Sequence, residues 1–114
     1  GIVGDPMLPA YNASKGAVRA FTKSVALYCA DKGYAIRVNS VHPGYVATPL
    51  VSGALSRLST GDADAFAQRV VASIPMGRMA EAAEIAKGIV FLASDDASYM
   101  TGSELIMDGG YTAR

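Results

Sequence analysis

The chain has 114 residues, the size of one domain, and its 51% hydrophobic and 18% charged residues exclude a disordered polar tail. Ten Lys+Arg balance ten Asp+Glu, and the absence of a basic cluster argues against a nucleic-acid or anionic-membrane surface. One cysteine, Cys29, forbids an intrachain disulfide; with one histidine it makes no ordinary structural zinc site, so no metal is expected. The longest strongly apolar run, Ile89 to Ala93, is far short of the roughly 20 residues that span a bilayer. These features predict a soluble chain in a reducing compartment, the cytoplasm.

In chain order, Pro6 and Pro9 make residues 4–9 a loop. Ala17, Val18, Phe21, Val25 and Cys29 recur at helical spacing and predict a helix over 10–32, with Gly33 as its stop. Ile36 to Val41 is short and rich in β-branched residues, and reads as a strand. Residues 43–61, with Pro43, Pro49 and three glycines, read as a long loop with a helical turn. Asp62 can cap a helix over 63–73, and Pro75 and Gly77 break the chain after it. Glu81 and Glu84 suit the first turn of a helix over 80–93, where Ile85, Ile89 and Leu92 share one face. Thr101-Gly102 is a turn, and Glu104 to Met107 a last strand before Asp108-Gly109-Gly110. Strands separated by helices predict an α/β fold with a parallel sheet. Two parallel strands cannot by themselves form a sheet buried on both faces, so the pattern is that of part of a larger α/β domain.

Tyr11 and Lys15 are four apart, which places them on one helix face. A phenol is a poor acid or base at neutral pH, and a neighbouring ammonium favours its phenolate. Such a pair can move a proton to or from a carbonyl or alcohol oxygen. The spacing recurs in Tyr28 and Lys32, so the pattern alone does not select a catalytic pair. Tyr11 follows a proline-containing loop and opens a helix, where a side chain can face a cleft. Tyr28 lies amid ordinary amphipathic sequence and reads as structural. His42 at a strand end reads as structural too, and Asp108 as the carboxylate that fixes a turn. Met76, Met79, Met100 and Met107 read as packing residues.

The segment Tyr11-Asn12-Ala13-Ser14-Lys15-Gly16-Ala17-Val18 resembles the active-site helix of the short-chain dehydrogenase/reductase family. Three further segments resemble that family in order: Arg37-Val38-Asn39-Ser40-Val41-His42-Pro43-Gly44 with Thr48; Pro75-Met76-Gly77-Arg78 with Glu81 and Glu84-Ile85-Ala86; and Thr101-Gly102 with Asp108-Gly109-Gly110-Tyr111. Within the family, Gly4-Asp5-Pro6, His42-Pro43-Gly44-Tyr45 and Gly109-Gly110-Tyr111-Thr112-Ala113 look most like the R-specific secondary-alcohol dehydrogenases.

The resemblance covers essentially the whole chain and implies the C-terminal half of a Rossmann-like, doubly wound parallel-sheet domain, occupying residues 1–114. It implies interconversion of a secondary alcohol and a ketone by hydride transfer with NAD or NADP. Tyr11 would be the general acid/base. Lys15 would stabilise its phenolate and hold the nicotinamide ribose. Pro43 and Gly44 would shape the loop beside the nicotinamide, while Val46 backbone groups and the Thr48 hydroxyl would fix the carboxamide. Tyr45 would line the pocket for a small alcohol or ketone, and Leu50 to about Ile74 would form a lid. The helices at 10–32 and 80–93 resemble those that pair subunits in dimers and tetramers, which implies a homo-oligomer. The family's Gly-x-x-x-Gly-x-Gly pyrophosphate turn, its catalytic serine and the residue that chooses NAD or NADP have no counterpart here. The N-terminal cofactor half is therefore an expected partner, and the 114 residues alone are expected to be inactive. The alternative is a non-catalytic fragment that associates with itself through exposed sheet edge and apolar helix faces.

Overall fold

The structure, a computed structural model, describes residues 2–4, 6 and 8–113. Asp5 and Met7, within the expected loop 4–9, lie outside the described residues, as do Gly1 and Arg114. The elements in order are α1 (Pro9–Asp31), β1 (Ser40–Pro43), β2 (Val46–Ala47), α2 (Pro49–Leu55), α3 (Thr60–Ser73), β3 (Ala80–Glu81), α4 (Ala82–Ala93), a 3₁₀ turn (Asp95–Ala97) and β4 (Glu104–Met107). The chain forms two compact units: residues 1–42 with 88–106, and residues 43–87 with 107–114.

In the first unit, α1 opens on Pro9, whose fixed φ and missing N–H suit a first helical turn. It ends as Gly33 predicts. The Gly33 N–H reaches Ala30 O at 3.0 Å and the Tyr34 N–H reaches Cys29 O at 2.9 Å, with Gly33 at φ 67°. This is the paired closure that a left-handed residue after a helix makes possible, and glycine adopts it without a Cβ clash. The buried line of α1 is Thr22, Ala26 and Cys29, three small residues. The apolar stripe is wider than the buried one, because Val18 and Phe21 are exposed.

Strand β1 begins at Ser40, four residues later than the expected start at Ile36. Hydrogen bonds explain the shift. The Val38 N–H donates to the Thr101 hydroxyl, the Arg37 guanidinium donates to Ser94 O and Met100 O, and the Asn39 amide both donates to Met100 O and accepts from the Ser103 N–H. Side chains thus occupy groups that a ladder would use, and regular pairing starts only beyond them. β1 then pairs with β4. The Ser40 N–H donates to Ser103 O and the Gly44 N–H to Met107 O, each at 3.0 Å. Both strands advance in the same sense between these bonds, so the pairing is parallel, as the sequence predicts.

In the second unit, the expected loop 43–61 contains the helix α2 and the two-residue strand β2. β2 pairs in parallel with β3, Val46 opposite Ala80 and Ala47 opposite Glu81. Elements this short carry no readable periodicity. Helix α3 starts earlier than expected, because Ser59 and not Asp62 is the N-cap. The Asp62 N–H donates to the Ser59 hydroxyl at 3.2 Å, and that hydroxyl donates to the Asp62 carboxylate at 2.6 Å. The Ser59 hydroxyl thus meets both the N–H and the carboxylate of the third helical residue, a side-chain N-cap. Val70, Ile74 and Ile85 are buried in this unit. Further along α4, Leu92 is half-buried but Ile89 is exposed, so the face expected from Ile85, Ile89 and Leu92 is only partly covered.

The architecture is α/β with parallel strands, a partial Rossmann-like fold. No helix among the described residues is long and apolar enough to cross a membrane.

Candidate active site

In the first unit, Tyr11 and Lys15 occupy the first two turns of α1, where the helical rise stacks residues four apart. The Lys15 ammonium lies 5.3 Å from the centroid of the Tyr11 ring, within cation–π range. Tyr11 is 55% exposed, so its ring is open to an incoming group. Ser14 does not compete for the phenol; its hydroxyl donates to the Tyr11 carbonyl at 2.8 Å. The second pair is nearly the same in its local geometry. Lys32 Nζ lies 5.8 Å from the Tyr28 ring, and Tyr28 is also 55% exposed. Tyr28 differs in making an edge-on contact with Tyr34 at 6.2 Å between centroids.

His42 is half-buried on β1, and its Nε2 lies 2.8 Å from the Ser40 hydroxyl. Burial lowers its pKa below the usual 6.5, although the Glu104 charge opposes that shift. Glu104 itself is held by α1. Its Oε2 accepts from Arg19 Nε at 3.1 Å and Nη2 at 2.9 Å, and its Oε1 lies 3.0 Å from the Lys23 ammonium. Hydrogen bonds from Arg19, then Lys23, hold the Glu104 carboxyl down to about 2. These contacts tie a strand to a helix, and His42 keeps the structural place that the sequence assigns it.

In the second unit, the segment Pro43-Gly44-Tyr45-Val46-Ala47-Thr48 is held from several sides. Gly44 lies directly against Asp108: a Cβ built on it would sit 2.8 Å from Asp108 Cα. Only glycine fits there without backbone movement. Tyr45 O accepts from the Ala80 N–H at 2.9 Å, and the Tyr45 ring meets Tyr111 edge-on with centroids 5.6 Å apart. Val46 lies in the β2–β3 ladder. Thr48 is the N-cap residue of α2 in an extended conformation, yet its side chain makes no cap hydrogen bond. A threonine at that position usually turns its hydroxyl onto its own helix. Here the hydroxyl is left to other partners, while the Thr48 carbonyl accepts from the Ser52 N–H at 3.1 Å.

Asp108 fixes the turn that follows β4, as expected from the sequence. Its carboxylate accepts from the Gly110 N–H and the Thr112 N–H, each at 2.9 Å, and from the Thr112 hydroxyl. Burial pushes its pKa up, but these hydrogen bonds prevail and leave it below the usual value. Two features had no distinct signal in the sequence. One is Tyr111 as the neighbour of Tyr45. The other is the bidentate pairing of Arg78 with Glu84, at 2.7 and 2.8 Å across β3.

The sequence model of a family described as enoyl-(acyl carrier protein) reductase matches residues 1–112. The chain is 52% identical, over all of its length, to an NADP-dependent (R)-specific alcohol dehydrogenase of Lentilactobacillus kefiri, and covers 42% of that protein. It is 48% identical over 99% of its length to a cyclopentanol dehydrogenase of Comamonas testosteroni, again covering 42% of the relative. Among solved structures, a short-chain dehydrogenase family protein of Francisella tularensis superposes with a TM-score of 0.83 at 38% identity, over 98% of this chain and 47% of that one. An aldohexose dehydrogenase of Thermoplasma acidophilum, solved as a C-terminal deletion mutant, gives 0.82 at 36% identity, over 94% of this chain and 46% of that one. The chain thus spans less than half the length of these relatives. With the match running from the Tyr11 helix through the Asp108 turn, at this identity and with this fold, the chain belongs to the short-chain dehydrogenase/reductase family.

Proposed function

We propose that residues 1–114 are the C-terminal half of an oxidoreductase domain that interconverts a secondary alcohol and a ketone with NAD or NADP. The observation that carries this reading is the family match over residues 1–112, which takes in the Tyr11–Lys15 pair at the start of α1; the 5.3 Å contact alone does not, since Tyr28 and Lys32 make one like it. The relatives named for R-specific and cyclic alcohols support a small secondary alcohol as substrate. A buried, unpaired Cys29 accords with a cytoplasmic setting.

In one unit Lys15 offers an ammonium suited to ribose hydroxyls, and in the other Thr48 offers a hydroxyl that makes no cap bond, suited to a carboxamide; each is a group that the nicotinamide end of such a cofactor would take. A bound nicotinamide cofactor supplies or accepts the hydride at the carbinol carbon. In the direction of reduction, the Tyr11 hydroxyl gives its proton to the carbonyl oxygen as that carbon gains the hydride. Lys15 stabilises the phenolate left behind and hydrogen-bonds the ribose. Val46 backbone groups and the Thr48 hydroxyl would hold the carboxamide of such a cofactor. Pro43 and Gly44 shape this loop, and Tyr45 lines the substrate pocket. The remaining contacts, to the pyrophosphate and the adenine ribose, call for a Gly-rich helix N-terminus that these residues do not include. The 114 residues by themselves are expected to bind neither NADH nor NADPH saturably at micromolar concentration.

Phe21 at 69% and Leu27 at 72% exposure are large apolar side chains that α1 leaves open on different sides, and a homo-oligomer would cover part of this surface. Self-association without catalysis is the competing reading of the same exposure.

The deciding experiment is an assay of the complete protein with NADH or NADPH and a secondary ketone such as cyclopentanone. Turnover by wild type, and its near loss in Tyr11→Phe with cofactor binding retained, is the expected result. Absence of turnover with every secondary alcohol and ketone tested, or full activity in Tyr11→Phe, would overturn the reading.

A further inference from the structure

Gly44 and Tyr45 are packed on the Asp108 turn and Tyr111, but the stretch that presents Val46 and Thr48 meets a neighbouring strand through two residues of parallel ladder, Val46 opposite Ala80 and Ala47 opposite Glu81. A two-residue strand has little stiffness of its own. Its partner, β3, is fixed at both ends by one ion pair. Immediately before β3, the Arg78 guanidinium donates to both oxygens of Glu84, at 2.7 and 2.8 Å, and to the Met79 carbonyl at 3.1 Å. At the end of β3, the Glu81 N–H donates to Glu84 Oε2 at 2.8 Å. The Glu84 carboxylate therefore gathers the residues just before β3, the last residue of β3 and the first turn of α4 on one charged group. Hydrogen bonds from Arg78, then from the Glu81 N–H, hold the Glu84 carboxyl down to about 2, so the clamp stays charged at neutral pH. All of these residues lie in the second unit.

Arg78 and Glu84 are 51% and 37% exposed in their side chains, where an ion pair meeting at a single point would contribute little to folding. A bidentate guanidinium–carboxylate pair does specify geometry, because both donors must meet both acceptors in one plane. We infer that Arg78 and Glu84 are positioning residues for the nicotinamide-binding loop, acting through β3 on the backbone of Val46 and Thr48. This rests on the assignment of Val46 and Thr48 proposed above. Neither Arg78 nor Glu84 touches substrate or cofactor in this scheme. They set the register and tilt of the strand against which the loop lies.

The test is a double-mutant cycle in the complete protein, using whichever of NADH or NADPH the wild type binds more tightly. Measured for each variant are the cofactor KM, kcat with cyclopentanone, and Tm. Arg78→Ala is expected to raise the cofactor KM about fivefold with a small change in Tm, the size of effect seen for residues that act through others. Arg78→Lys is expected to recover only part of this, since an ammonium cannot reproduce the two parallel bonds. In a Thr48→Ala background, Arg78→Ala should raise the cofactor KM by a smaller factor than in wild type, because one of the two contacts it positions is already gone while the Val46 backbone contact remains. Should Arg78→Ala fail to fold, Glu84→Gln, which keeps the side-chain volume, must show the same non-additive rise. If Thr48→Ala raises the cofactor KM while Arg78→Ala and Glu84→Gln leave it unchanged, or if the effects simply multiply, the clamp is structural only; the inference fails and the loop assignment stands. If Thr48→Ala itself leaves the cofactor KM unchanged, the loop assignment fails and takes the inference with it.

Discussion

Helix α1 and the Pro43–Thr48 segment place their side chains by opposite means. On α1, Tyr11 meets Lys15 because residues four apart share a helix face, and Tyr28 meets Lys32 for the same reason, at 5.3 and 5.8 Å. The loop has no such internal rule. Gly44 is where it is because Asp108 lies against it, Tyr45 because its carbonyl receives the Ala80 N–H, and Val46 because it pairs with β3. The difference teaches that a spacing produces a pair wherever it occurs, so geometry within one helix does not choose between Tyr11 and Tyr28. What surrounds each ring does. The loop has no duplicate, and it is vulnerable to changes far from it in sequence.

The strongest way to break this comparison is to remove the two phenols in turn from the complete protein. Tyr11→Phe is expected to lower the rate of ketone reduction by about 10²–10⁴-fold, the usual contribution of a general acid. Tyr28→Phe should leave it near wild type, despite matching exposure and a matching lysine. Steady-state kinetics on both variants decide it, and comparable losses would show that the helix start has no privileged role.

Next in size is a pair of glycine substitutions, one in each region. Gly44→Ala forces a Cβ to 2.8 Å from Asp108 Cα and is expected to destabilise the fold by about 1–3 kcal/mol. Gly16→Ala on α1 meets nothing within 4 Å and should stabilise it by about 0.5–1 kcal/mol. Denaturant unfolding of the two variants, read against wild type, gives both signs. A neutral Gly44→Ala would mean that the loop is less tightly packed on the Asp108 turn than the structure has it.

Asp108→Ala sharpens the point, because Asp108 is distant from the loop in sequence but against it in space. The substitution strands the Gly110 and Thr112 N–H donors and should destabilise the protein by about 1–2 kcal/mol. Thermal unfolding measures this loss.

The last effect is read in acid and comes from the charges that α1 and β4 bring together. Glu104 has its carboxyl lowered from 4.5 to about 2, so its folded form favours the anion. Its contribution to stability is complete above about 4.5 and fades as the pH falls toward 2. His42 is lowered below 6.5, so its neutral form is favoured in the fold; that contribution is complete above 6.5 and fades as the pH falls through that value. Tm measured against pH should therefore fall on acidification, and Glu104→Gln should flatten the slope below about 4.5 while enlarging the His42 portion, because the charge that opposes the His42 shift is gone. An unchanged acid limb in Glu104→Gln would remove the linkage assigned to the Arg19 and Lys23 contacts.

Local chemistry alone determined much of this protein. Periodicity over many residues located α1, α3 and α4, Gly33 marked the stop of α1, and β4 was legible as a short apolar run before Asp108-Gly109-Gly110. The α/β order with parallel strands and the family followed from the order of motifs. Those features depend on neighbours along the chain, whose spacing any reader of the sequence can count. The start of β1 escaped, because Arg37, Val38 and Asn39 bond across more than fifty residues to the Ser94–Ser103 stretch. The β2–β3 pairing escaped because two residues have no period, and the Arg78–Glu84 clamp because a separation of six on either side of a strand is no regular spacing. The tertiary structure alone decided which apolar residues of α1 are covered, selecting Ala26 and Cys29 over the larger Phe21. Small side chains let backbones approach, and only the packed fold says which backbone approaches.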